Sequence, residues 1–436
     1  MKQYFKENYQ FLAISFFWTI TGILLKETAL LLVPAALILY KYKGQYSEVV
    51  LTIFLINYLS DNRHDELLFA AKTKGYIIML AGLLYYINLR NFPERSKIIR
   101  PFIPFFIVAF LLFPRNPDPA LSFQKTLSYF LLIAAIPNYF LRQLAVEKEV
   151  FLRKLIWLIT LLYIIGLITI YTLPYDWAYW ADRYQGFMGN PNGIGVMSTV
   201  TFLLIHVSQY HFPKMFSRTE KYIIYAVLFI SLIMSGSRNS IFSIAIFLFF
   251  SYVYKISPWI GFAIVIFAAV IFQVINENLA AIFTAIGLGS YLRVDHLDNG
   301  SGRLIAWTYA WGEIQKHYFI LGRGFAFEEH LFALKQDWFV VRGHIGSVHN
   351  SFLAVWLNTG IIGLIGFIYG ILSNFIRAAK VNPLAFPCMF AIIFSNMFES
   401  WLQASLNPFT IIALLVLTLL QYEKPADKEE STVPVL

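Results

Sequence analysis

Apolar runs of about 14–23 residues follow one another along the whole chain, separated by short polar stretches. They fall near residues 9–25, 28–40, 46–60, 75–89, 101–113, 120–141, 155–173, 191–209, 222–235, 239–254, 258–276, 351–373, 383–402 and 407–421. The pattern predicts an all-α, polytopic transmembrane helical bundle of about 12–14 helices with one large extracytoplasmic helical loop. Several runs are shorter than the ~20 residues of a straight span, so the first three and 101–113 are also compatible with re-entrant or broken helices. The first run lacks a small-residue cleavage site and reads as a retained helix. No internal repeat is visible.

One segment breaks this rhythm. From about Asn276 to Asn350 the chain is mixed in polarity. Within it Trp307, Trp311, Ile314 and Phe319 recur at roughly helical spacing, so 301–318 reads as an amphipathic helix with Ser301 or Gly302 as its cap. Leu321-Gly-Arg-Gly324 breaks that helix, and a second helical stretch follows near 327–337. The chain thus divides into N-terminal helices (1–150), helices with outer loops carrying Arg183 and Arg238 (151–276), the large loop (277–350), C-terminal helices (351–422) and a polar tail (423–436).

Composition agrees. Apolar residues make up 58% and charged residues 14%, against about 45–50% and about 25% in a soluble protein. A soluble enzyme, a disordered chain and a coiled coil are excluded. The single cysteine, Cys388, rules out an internal disulfide and a CxxC metal site. A net charge of +9 would suit nucleic acid, but its distribution follows a membrane topology instead. With the N-terminus in the cytoplasm and strict alternation, 20 of the 34 lysines and arginines fall on the cytoplasmic side. Six more lie in the long loop, which counts little, and eight in short outer segments. Both termini are therefore assigned to the cytoplasm, and the long loop to the outside.

Four charged groups then sit on the outer side where helices meet water. Arg183 precedes the helix at 191 in Asp182-Arg-Tyr-Gln-Gly-Phe-Met-Gly-Asn-Pro-Asn192. Arg238 lies in Ser235-Gly-Ser-Arg-Asn239, Arg303 opens the loop helix, and His349 lies in Gly346-Ser-Val-His-Asn350. Taken singly, each has an ordinary explanation: interfacial anchoring for Arg183, a cap on the preceding helix or snorkelling for Arg238, a solvated face for Arg303, a helix cap for His349. Together they suit an anionic substrate. Arginine binds phosphate bidentately and stays charged, histidine is the usual general base near neutral pH, and helix starts favour anions. Paired carboxylates and HExxH are absent. Asp295, His296 and Asp298 are adjacent loop residues without a second cluster, and no metal or other cofactor is expected.

In order and spacing these residues resemble the O-antigen ligase and O-antigen polymerase family. The resemblance rests on Ser301-Gly-Arg-Leu-Ile-Ala-Trp307, Leu321-Gly-Arg-Gly324, His349-Asn350-Ser-Phe-Leu353 and Thr359-Gly-Ile-Ile-Gly363, with Arg183, Gly186, Asn190-Pro-Asn192 and Ser235-Gly-Ser-Arg238 upstream. It covers roughly residues 175–370. It implies a metal-independent, inverting membrane glycosyltransferase of the GT-C kind in the bacterial inner membrane. Such an enzyme moves a glycan from undecaprenyl diphosphate to a hydroxyl acceptor on the periplasmic side. In a ligase the acceptor is a lipid A–core sugar; in a polymerase it is another lipid-linked repeat. Arg183, Arg238 and Arg303 match diphosphate-binding positions, and His349 matches the proposed base. Asn350 and Arg323 are lesser candidates, and Glu399 is an acid near a helix end with no assigned role. The single dominant outer loop favours the ligase. A lipid-linked glycan transporter would need charges along an inner path, and a scaffold would need none of this clustering.

The assigned topology is directly testable. Cysteines placed at Ser217 and Ala379 should resist impermeant thiol reagents in intact cells, whereas cysteines at Asn299 and Gln336 should react. Labelling of all four from outside would overturn the orientation.

Overall fold

The computed structural model describes residues 2–26, 29–92, 95–256, 303–403 and 406–423. The expected helix at 258–276, the Ser301/Gly302 cap, the Asp295-His296-Asp298 group and the tail lie outside these residues. The described chain is helical almost throughout, as the apolar runs require. It begins with α1 (Lys2–Leu25), α2 (Ala29–Tyr42), α3 (Tyr46–Leu59), α4 (Leu68–Ile87) and α5 (Ile103–Leu112). Long α6 (Pro119–Val146) and α7 (Glu149–Thr172) follow, then a short turn α8 (Tyr175–Ala178) and a tiny hairpin of β1 (Tyr179–Trp180) and β2 (Arg183–Tyr184). Next come α9 (Pro191–His211), α10 (Arg218–Ser235) and α11 (Arg238–Ile256). The large loop contributes α12 (Arg303–Glu313), α13 (Phe327–Ala333) and α14 (Gln336–Val340), and the chain closes with α15 (Ser351–Ala379), α16 (Ala385–Phe398) and α17 (Pro408–Leu420).

Every expected membrane helix that falls on described residues is present, including the short ones at the N-terminus and α5. Among the described residues, six helices are long and apolar enough to cross a membrane. Boundaries differ where charge sits inside a helix. The run expected at 75–89 starts at Leu68, because Lys72 and Lys74 lie in its first two turns, where a long side chain can reach past the apolar stem. The 301–318 helix is regular only to Glu313, and Ile314–Tyr318 continue as a wider π turn. The stretch at 327–337 splits into α13 and α14.

All thirteen residues of α17 are buried, against α9, α6 and α3, so this helix is the centre of the bundle. The connecting segments sort into two ends. At one end Ser47 donates to Glu147 (2.8 Å), Lys154 pairs with Glu147 (3.0 Å), Arg153 donates to the Met215 carbonyl (2.8 Å) and pairs with Glu220, and Asn374 reaches the Ile98 carbonyl (3.0 Å). At the other end Asn62 donates to the Phe187 carbonyl (2.7 Å), His64 stacks on Trp177 (3.9 Å), and Asn116 donates to the Phe325 carbonyl (2.9 Å). Here too Lys125 pairs with Glu329. This grouping by contact is the one that alternation along the chain predicts.

The loop is fastened to the bundle where α15 breaks. Gly360 has φ +72°, ψ −177°, which interrupts the helix. The freed groups are taken up by the Phe319–Gly324 segment: Ile361 N–H donates to the Phe319 carbonyl (2.9 Å), and Gly324 N–H donates to the Asn358 carbonyl (2.7 Å). Two chains run side by side at this crossing. A Cβ on Gly322 would lie 2.3 Å from Asn358 backbone, and one on Gly360 would lie 2.1 Å from the Ile320 carbonyl oxygen. The glycines of Leu321-Gly-Arg-Gly324 and Thr359-Gly360 are therefore packing requirements, not ligand contacts.

Gly360→Ala combines a left-handed φ with a clash against backbone, and should destabilise the protein by about 2 kcal/mol or more. Gly312, whose Cβ direction is open, is the control. Equal melting temperatures for Gly360→Ala and wild type would contradict this crossing.

Candidate functional site

The end that holds the large loop also gathers the starts of α9, α11, α15 and α17. An N-terminus carries roughly half a positive charge and unpaired N–H groups. Side chains on these helix starts tie them around the carboxyl end of α16. Asn239, in the first turn of α11, donates to the Ser395 carbonyl (3.1 Å). Ser351, first residue of α15, donates to Asn396 (2.6 Å) and to the Glu399 carbonyl (3.1 Å). Asn407, which caps α17, donates to the Trp401 carbonyl (2.7 Å). The start of α9 abuts α11, with Gly195 pressed against Ser237.

Arg183 holds two of these pieces together. Its Nε donates to the Ser235 carbonyl (2.8 Å) at the end of α10, and its Nη2 donates to Asn192 (2.8 Å) in the first turn of α9. Arg183 thus caps the end of α10, the role considered for Arg238. Arg238 is the first residue of α11, half-buried, and follows the Ser235–Ser237 turn against which Arg183 lies.

Arg303 opens α12, and its position follows from helical spacing. Trp307 is four residues on, so both side chains share one face. The Trp307 ring packs on Phe398 (5.8 Å), at the end of α16, while Ala306 and Ala310 are fully buried. That docking delivers the Arg303 guanidinium to Glu399, at 2.5 Å. Glu399 stands just beyond the last turn of α16, and its other oxygen lies 3.4 Å from His349 Nδ1. His349 Nε2 faces the Ile345 carbonyl (3.2 Å). Residues far apart in sequence therefore form one chain: arginine, carboxylate, imidazole.

Electrostatics follow from this arrangement. Burial alone pushes the Glu399 carboxyl up, but Arg303 and His349 together outweigh it and hold the group below the usual carboxylate value. Burial pushes His349 down, yet its hydrogen bond and charge interaction with Glu399 prevail and raise it above the ordinary histidine value. His349 also has φ +49°, unusual for a residue with a side chain. Its neighbour His344 is held low by burial and by the facing His349 ring, 5.6 Å away.

Of the other expected residues, Asn350 caps α15, accepting from the Phe352 and Leu353 N–H groups (2.9 and 3.0 Å). Its observed role is structural. Arg323 lies exposed on the loop, near the Tyr318 and Phe327 rings (5.8 and 5.6 Å). The structure joins Arg303, Glu399 and His349 directly, sets Arg183 within electrostatic reach of Glu399 and against the turn that precedes Arg238, and leaves Arg323 apart. Two carboxyls escaped sequence reasoning. Glu328, in α13, is 1% exposed and accepts from the Val348 N–H (2.7 Å); burial pushes it up to about 7. Asp61, in the link after α3, lies by Gly193 at the start of α9 and is also pushed up to about 7 by burial. In sequence, Glu328-Glu329 reads as a solvated pair and Asp61 as a loop acid, so neither signals burial.

A helical, membrane-spanning bundle, in which helix starts and the helices of the long loop meet around an arginine–carboxylate–histidine chain, defines the class. Residues 223–368, about a third of the chain, match the family described as O-Antigen ligase. The match includes Arg238, Arg303, His349 and the α15 break; Arg183 and Glu399 lie outside it. No curated protein matches the chain.

The coupled pair predicts a pH signature. Glu399, with a lowered pKa, stabilises the fold above the ordinary carboxylate value (~4.3) and loses that contribution as pH falls through its own lower value. His349, with a raised pKa, stabilises below ~6.5 and loses that contribution as pH rises through its raised value. The melting-temperature difference between wild type and Glu399→Gln should therefore be largest between about pH 4.5 and 6.5 and shrink on both sides. A difference independent of pH would contradict the pairing.

Proposed function

We propose that the protein is a ligase-type glycosyltransferase of the bacterial inner membrane, with its cleft and large loop on the periplasmic side and both termini in the cytoplasm. It transfers a glycan from undecaprenyl diphosphate to a hydroxyl of a lipid A–core acceptor. The observation that carries this reading is the Arg303–Glu399–His349 chain, set among helix starts beside Arg183 and Arg238. Arginines and N-termini stabilise negative charge as it grows on a departing diphosphate, without needing a proton donor. Arg183, already fixed by Ser235 and Asn192, and Arg238 form one wall for the diphosphate; Arg303 supplies the other.

In this reading Glu399 has two tasks. It balances Arg303, and it accepts the Nδ1–H of His349, which leaves Nε2 as the basic nitrogen. The acceptor hydroxyl replaces the Ile345 carbonyl at Nε2. His349 then takes the hydroxyl proton as the acceptor oxygen bonds to the anomeric carbon, and the bond from that carbon to the diphosphate oxygen breaks. Attack opposite the leaving group inverts the anomeric centre. Placement of the two reactants supplies much of the rate.

Purified protein reconstituted with lipid-linked glycan, with and without lipid A–core, tests the reading. Glycan on core identifies a ligase. A ladder of lengthened lipid-linked glycan identifies a polymerase, and translocation with neither product identifies a transporter. His349→Ala should lose most transfer while still binding donor. Arg238→Ala and Arg303→Ala should each lower turnover by about 100-fold, with lysine restoring only part. Near-normal transfer by folded His349→Ala would remove the base assignment.

A further inference from the structure

His349 occupies a backbone setting that a residue with a side chain adopts only when its neighbours hold it there; left-handed geometry costs roughly 1–2 kcal/mol. The surroundings show what holds it. Val348, immediately before, is fully buried, and both of its backbone groups are fixed by side chains. Its N–H donates to Glu328 Oε1 (2.7 Å), and its carbonyl accepts from Trp307 Nε1 (2.9 Å). On the other side Asn350 is fixed as the cap of α15. His349 is thus the one turnable residue between two clamped ones.

Glu328 is itself pinned. Its own N–H donates to Asn358 Oδ1 (2.9 Å), and the Asn358 carbonyl takes the Gly324 N–H (2.7 Å) at the α15 break. The carboxyl therefore transmits the position of the loop crossing to the residue before His349. A buried carboxyl is an expensive way to satisfy one backbone N–H, since burial disfavours its charged form and leaves few partners to compensate.

We propose that Glu328 is a positioning residue for glycan transfer: with Trp307 it clamps Val348 and so aims the His349 ring between Glu399 and the acceptor hydroxyl. This inference rests on the reading of His349 as the base. Glu328 touches no reacting atom in it; its effect passes through the backbone.

The test uses the full-length protein with the donor and lipid A–core acceptor described above. Glu328→Ala should lower kcat by about 10- to 100-fold, the scale of a misplacement near 1 Å, with donor KM within about twofold of wild type. Glu328→Gln keeps an oxygen that can accept the Val348 N–H and should recover most of the lost rate. Trp307→Phe, which removes the other half of the clamp but retains an aromatic ring, should also lower kcat and serves if the alanine variant does not fold. On a His349→Ala background neither change should lower the residual rate further, because groups acting as a unit are not additive. Wild-type kcat in folded Glu328→Ala, beside an inactive His349→Ala, would overturn the clamp alone. Full transfer by His349→Ala would overturn the base reading instead. A loss of equal size on both backgrounds would show that Glu328 acts apart from His349, and would also overturn the proposal.

Discussion

The site depends on one partly buried charge contact, the pairing of Arg303 with Glu399. It joins the first residue of a loop helix to the end of a bundle helix, 96 residues apart. Neither partner tolerates that environment alone, because removing one leaves an uncompensated charge in a poorly solvated cleft. Once α12 has docked through Trp307, the contact pins it there beside the segment that carries His349. The same carboxylate orients the imidazole. A single acid thus fixes the geometry of the loop on the bundle and the protonation preference of the ring.

The second constraint is the crossing at Gly322 and Gly360. A helix broken at membrane depth exposes backbone groups that lipid cannot satisfy. Here the Phe319–Gly324 segment satisfies them, which is possible only because the crossing glycines carry no side chain. The break lets the outer part of α15 begin at Asn350, beside Glu399, while the inner part continues down the bundle. Glycines that read in sequence as a helix break are therefore the crossing on which the loop is mounted.

The fold was largely legible in the sequence, because each spanning segment declares itself by length and hydropathy within a single window. Even α5, of ten residues, stood out by its apolar run. Arg183, Arg238, Arg303 and His349 were legible because a charged residue beside an apolar helix is costly and invites a reason. Their partners were harder to see. Glu399 sits among Ser and Trp at a helix end, and its pairing with Arg303 depends on how α12 docks. Glu328 has a sequence context like that of Glu329, yet one is buried and the other meets Lys125 at the surface. Sequence spacing cannot distinguish them, since the difference arises from which face of α13 meets α15. The capping of α10 by Arg183 is likewise a matter of tertiary placement: only the folded hairpin brings Arg183 against the last turn of α10.

The central claim is that the cleft bounded by Arg183, Arg238 and Arg303 receives a diphosphate and that Glu399 yields Arg303 to it. A structure of the full-length protein in lipid nanodiscs with undecaprenyl diphosphate bound is the most direct measurement. The account predicts phosphate oxygens within hydrogen-bond distance of all three guanidinium groups, Arg303 turned from Glu399, and Glu399 still against His349 Nδ1. A diphosphate bound at the opposite end of the bundle, near Arg153 and Lys154, with the Arg303–Glu399 pair intact, would contradict it.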